Sequence, residues 1–167
     1  MAVNIKRLSK HLLGNRTRVR RAFSQRGLKR IEDAIKASEA RHAGQIRFVV
    51  EGALDGRPLL AGQSARDRAL DLFAHLRIWD TEHNSGVLIY LLLADRDVEI
   101  VADRGIDVKV GAARWREVCA VMESEFRQGH FEQGALSGIE RITAELAAHF
   151  PARGAHRNEL PDPPVVL

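Results

Sequence analysis

Apolar positions recur along this chain with a helical period in some stretches and a strand period in others, and the switches between them predict its elements. Over residues 4–22, Leu8, Leu12 and Val19, with Phe23 just beyond, follow one face among arginines and lysines. This predicts an amphipathic helix that Gly14-Asn15 interrupts. Ser24 is placed to cap a second helix to about His42, with Leu28, Ile31, Ile35 and Ser38 inward and Gly44 after its end. Gln45 to Glu51 alternates, Ile46, Phe48 and Val50 against Arg47 and Val49, and reads as a strand. Gly52 to Gly62 reads as a loop. Ser64 to Asp67 approximates a capping box opening a helix through Leu76.

Val87 to Leu93 is wholly apolar, the mark of a strand buried on both faces. Asp95-Arg96 then turns the chain into an alternating strand through Val98, Ile100 and Ala102, so the two pair as a hairpin. Asp103 to Gly111 reads as a polar loop. Trp115, Val118, Cys119, Met122 and Phe126 define a helix ending near Gly129; Ile139, Ile142, Leu146 and Phe150 define a last one, stopped by Pro151. Residues 152–167, with Pro161, Pro163 and Pro164, are expected to form a disordered tail. Strand–helix–strand order implies a right-handed parallel crossover. The expected fold is therefore α/β: a small mixed sheet containing a β-hairpin, with helices on both faces. A basic helical extension over 1–23 precedes the α/β domain over 24–151.

Charge changes this picture. The first 30 residues hold ten lysines and arginines and no acid, leaving 16 basic against 22 acidic side chains in the rest. A mildly acidic domain thus carries a basic head. Such a head suits a nucleic acid backbone, an anionic membrane or an acidic protein partner, or it packs on the acidic domain of its own or a neighbouring chain. Aromatic interleaving is sparse and no nucleic-acid module is recognisable in it, so no specific nucleic acid recognition is expected. One cysteine, Cys119, excludes an intramolecular disulfide and a cysteine-rich zinc site. Leu12-Leu13 is too short for a secretory leader and Val87 to Ala94 too short to span a bilayer. A soluble, cytoplasmic protein is expected, peripheral at a membrane at most.

Candidate chemistry gathers just before the buried strand. Asp80, Glu82, His83 and Asn84 precede it, and the hairpin lays its start beside the end of the next strand, bringing these residues near Asp103 and Asp107. Oxygen-rich clusters of this kind suit Ca²⁺ or Mg²⁺, although Asp, Asn, Ser and Gly also build ordinary turns. Glu51, at the opposite end of a parallel strand, is excluded from the cluster. No serine elbow, zinc-binding helix motif or phosphate loop is present.

Four separated motifs carry a family resemblance over about residues 25–150. They are Asn84-Ser85-Gly86-Val87-Leu88, Asp95 to Ile100 followed by Gly105-Ile106, Phe126 to Phe131, and Gly134 through Gly138. In order and spacing the chain resembles the TPM domain family, which includes a thylakoid-lumen phosphatase-like protein and photosystem II repair proteins. The resemblance implies a three-layer α/β/α sandwich with a Rossmann-like core. It implies divalent cation binding, acid phosphatase activity in some members, and LemA-type proteins as partners. Asp80, Asn84 and Asp103 match the family's polar site and are the metal ligands it implies. The chain departs from the family in having Ser85 where a second Asn is usual, and in carrying the basic head where other members have an export signal or membrane anchor. Two readings result: a binding and assembly module with a divalent-cation site at the sheet edge, or a metal-dependent acid phosphatase-like hydrolase. In the second, His83 would protonate the leaving group of a phosphate ester. The absence of a recognisable nucleophile favours the first.

Overall fold

The computed structural model describes residues 5–11, 15–154 and 157–167. Its frame is set by strands that bury both faces. β1 (Gln45–Glu51) and β2 (Gly86–Leu92) lie parallel in the centre, Ile46 opposite Val87 and Glu51 opposite Leu92. β3 (Asp97–Ala102) returns antiparallel to β2, with Ala102 opposite Val87. The strand order is β3-β2-β1-β4, where β4 is Val165–Val166, parallel to β1. The expected hairpin and parallel crossover are both present.

Because side chains alternate across a strand, each strand feeds two cores. Ile46, Phe48, Val50, Val87, Ile89 and Leu91 point to one face. There they meet α2 (Asn15–Ala22), α3 (Gln25–Ser38), α7 (Ala112–Arg127) and α8 (Phe131–His149). Val49, Leu88, Tyr90 and Leu92 point to the other, where α5 (Ala65–His75) buries Ala65, Ala69 and Leu72. The result is the three-layer α/β/α arrangement. Ser24 caps α3 as expected, its hydroxyl accepting from the Gly27 N–H. Ser64 and Asp67 complete the capping box of α5.

The N-terminal stretch carries α1 (Ile5–His11) and α2, and the expected interruption at Gly14, like Leu12, lies outside the described residues. Three expectations need correction. The 52–62 loop contains a short helix, α4 (Gly56–Leu60). Residues 103–111 form a helix, α6 (Arg104–Val110), because the Asp103 carboxylate accepts from the Arg104 N–H and starts the turn. The tail is ordered over 157–167: Leu160 is buried in the second core, and Leu167 extends the pairing of β4 with its N–H on the Val50 carbonyl, 3.0 Å. Its prolines keep it extended, and its backbone groups find partners on β1.

The basic head is part of this body. Val19 and Phe23 are 2 % exposed, and the Phe23 ring meets Phe48 edge-on at 5.9 Å. Among the described residues no helix is long and apolar enough to cross a membrane.

Candidate functional site

At the rim where β1 and β2 begin, the two expected loops meet. The Asp103 N–H donates to the Gly86 carbonyl at 2.8 Å. Asn84 takes a left-handed conformation (φ 49°). A Cβ on Gly105 would sit 2.5 Å from the carbonyl oxygens of both His83 and Asn84, so only glycine admits this approach. The Asp103 carboxylate is the notable group here. The residue is 9 % exposed; one oxygen accepts from Arg104, and the other, Oδ2, is buried without a hydrogen-bond partner. A buried, unbalanced carboxylate oxygen is costly unless something supplies a proton or a cation.

The other candidates do not converge on it. Asp80 is exposed. Asp107 is engaged by the Trp115 indole N–H at 3.0 Å. The Glu82 N–H holds Glu159, and the His83 ring stacks on Phe150, over which Lys109 also sits. Among the described residues no group of three or more His, Cys, Asp or Glu side chains is placed to hold a metal ion. What remains is one buried carboxylate oxygen without a partner on Asp103, in the loop that packs against residues 83–84 through Gly105.

The opposite rim carries a network the hydropathy pattern did not reveal. Glu51, 5 % exposed, takes both arms of Arg68 at 2.9 and 3.0 Å and the Tyr90 hydroxyl at 2.7 Å. Burial, reinforced by the Glu51 charge, pushes the Tyr90 hydroxyl far up, so it stays a donor. The hydrogen bond to Glu51 raises Arg68 further. Close by, Asp95 pairs with Arg7 Nε at 2.9 Å and with His11 Nε2 at 3.1 Å. His11 Nδ1 accepts the Leu54 N–H, so Nε2 carries the proton. Burial works against the charge on Asp95, but the hydrogen bonds from Arg7 and His11 outweigh it and hold the carboxyl low. The signal for Glu51 was present: a polar residue on the second-core face of a strand buried on both sides. Nothing local indicated that α5 would supply Arg68.

These contacts fasten the head and define its outer surface. With Val19 and Phe23 inward, Arg16, Arg20, Arg21 and Arg26 stand exposed on α2 and α3. Lys29 and Arg30, one turn on, are paired with acids: Glu32 and Asp33, and Glu132. Cys119 is a half-buried thiol pushed up to about 12 by burial first and by the Glu99 charge second, which leaves it inert at neutral pH.

Comparison with known proteins agrees with this architecture. The solved structure of the BA42 protein from the psychrophilic bacterium Bizionia argentinensis is similar at 31% identity and a TM-score of 0.76, covering 86% of this chain and 94% of that one. The N-terminal domain of a P. gingivalis protein shares the fold, with a TM-score of 0.64 at 17% identity over 80% of this chain and 83% of its own. No curated protein matches. The TPM domain family matches over residues 19–145, a span that takes in Val19, the hairpin, the Asn84–Asp103 rim and most of α8, and the chain belongs to that family.

Proposed function

We propose that this TPM domain is a non-catalytic docking and assembly module whose arginine surface seats the α/β body on an anionic, phosphate-bearing membrane face. The observation that carries it is the set Arg16, Arg20, Arg21 and Arg26: four exposed guanidinium groups on consecutive helices, without an ion-pair partner among the described residues. Guanidinium is the fork that matches phosphate oxygens, and it keeps its charge at any physiological pH. The apolar residues of the same helix are committed to the core, so association is by charge and not by insertion. Each basic residue near an anionic leaflet contributes about 1 kcal/mol. Replacing all four by Gln is expected to weaken co-sedimentation with anionic vesicles by roughly 10²–10³ at low ionic strength. Equal co-sedimentation of both proteins would overturn the reading.

A second reading rests on Asp103 Oδ2. A divalent cation, Ca²⁺ or Mg²⁺, would satisfy this oxygen with the help of Asn84, and Asp80, exposed and not gathered with them in the structure, would have to turn in to complete the set. In a hydrolase of phosphate esters such an ion supplies Lewis-acid polarisation of a phosphoryl oxygen. Ca²⁺ or Mg²⁺ titration followed by amide NMR is expected to move residues 83–85 and 103–105 together, and Asp103→Asn to abolish the response. Amides unmoved at both segments would remove the cation.

A further inference from the structure

Segment 157–167 lies across β1 in the manner of a bound peptide. The Gln45 side-chain oxygen accepts two successive main-chain N–H groups, Glu159 at 3.1 Å and Leu160 at 3.0 Å. The Arg47 guanidinium donates to the carbonyls of Pro161 and Pro163, the latter at 2.8 Å. Val165 and Val166 add to β1 opposite Val49 and Val50, and Leu167 and the Gly52 N–H extend that ladder. Leu160 is sunk in the second core, with Val49, Leu54 and Leu72 among its members, and Val165 and Leu167 pack half-buried against it.

Two features mark this as recognition and not ordinary covering. The body reads the segment's backbone by two polar side chains of β1, Gln45 and Arg47, each about nine-tenths or more buried. Backbone hydrogen bonds, strand addition and one apolar pocket are the parts from which sheet-edge peptide sites are made. The segment itself has no helix. Pro161, Pro163 and Pro164 hold it extended, which lowers the entropy lost on seating it.

We infer that the face and edge of β1 around Gln45, Arg47 and Val49 form a peptide-binding groove. Segment 157–167 is its resident ligand, and the groove's exchange partner is an extended segment of a partner protein with the same chemistry. That chemistry is a leucine followed by alternating prolines and an acid, then β-branched residues for the ladder. The inference goes beyond the membrane reading and does not depend on it: vesicle binding tests the arginines of α2 and α3, whereas the groove is read with a peptide.

The test uses a fluorescently labelled peptide of residues 157–167 and the full chain. Leu160→Asp with Val165→Asp detaches the resident segment. The folded double variant, checked by circular dichroism, is expected to bind the peptide about tenfold or more tighter than the unaltered chain does, since the resident ligand no longer competes. Adding Arg47→Met to that variant is expected to weaken binding by about tenfold or more, the guanidinium being a charged donor to two carbonyls. Peptide binding no tighter than to the unaltered chain, unaffected by Arg47→Met, or matched by a scrambled peptide would overturn the groove. Should the double variant not fold, amide exchange on the unaltered chain decides. The Leu160 and Leu167 amides are expected to exchange faster than those of Ile89 and Leu91, and faster again with excess peptide. Protection equal to that of β2 and indifferent to peptide would overturn it. A concentration-dependent dimer of the unaltered chain would put a second copy in the groove and overturn the partner assignment.

Discussion

The two rims of the central sheet hold similar residue types in opposite states. At the rim where β1 ends, two buried or half-buried carboxylates are answered: Glu51 by Arg68 and Tyr90, Asp95 by Arg7 and His11. At the rim where β1 begins, Asp103 keeps a buried oxygen without a partner, and Asp80 stands in solvent. The first rim is closed by side chains drawn from four places in the sequence. The second is made by two loops whose backbones approach closely, while no three acidic, imidazole or thiol groups gather there among the described residues. A dense polar run in a sequence therefore marks a turn here, while the closed charge network is assembled from scattered single residues.

Breaking the closed rim is expected to have the largest effect. Arg68→Leu leaves Glu51 buried with Tyr90 as its remaining partner, and loss of one member of a buried pair costs about 3 kcal/mol in urea unfolding. A loss below about 1 kcal/mol would show that the rim is solvated and that the contrast is false. Smaller effects are expected at the open rim. Asp103→Ala removes the cap of α6 at a cost of about 1 kcal/mol. Asp80→Ala is expected to change stability by less than about 0.5 kcal/mol, as for an exposed residue without partners. A larger loss at Asp80 than at Asp103 would reverse their ranking.

The open side is also where pH acts. Glu39, at the end of α3, is pushed up to about 7 by burial first and by the Asp162 carboxylate second; Lys36 pulls the other way, and Arg47 faces Asp162. The folded chain then binds this proton more tightly than the unfolded one, where the usual value is 4.5. The stabilisation is complete below about pH 4.5 and is lost as pH rises through about 7. Denaturation midpoints measured across that window are expected to fall with rising pH, and Glu39→Gln to flatten the fall. An unchanged slope in Glu39→Gln would remove the Glu39–Asp162 contact from the account.

What the sequence revealed follows from where the determining information lies. The hairpin, the parallel crossover, the Ser24 cap and the Ser64–Asp67 capping box are written in local periodicity and in those residues, and they were legible. So was the meeting of residues 83–84 with 103–105, since hairpin register alone requires it. The 157–167 segment was not legible, because proline-rich composition hides that its partners, Gln45 and Arg47, stand on another strand. Helix α6 was obscured by Gly105, which reads as a breaker but is needed for the close approach to Asn84. The Val19 and Phe23 stripe was visible; that it belongs to the main core was not, since destination is a tertiary property.

The docking surface is tested most directly by amide NMR with vesicles whose headgroups carry a paramagnetic label. Signal loss centred on Arg16, Arg20, Arg21 and Arg26, and reversed by salt, is the predicted result. Loss centred instead on the exposed apolar residues Trp79 and Val108, or no loss with anionic vesicles at low salt, would contradict it.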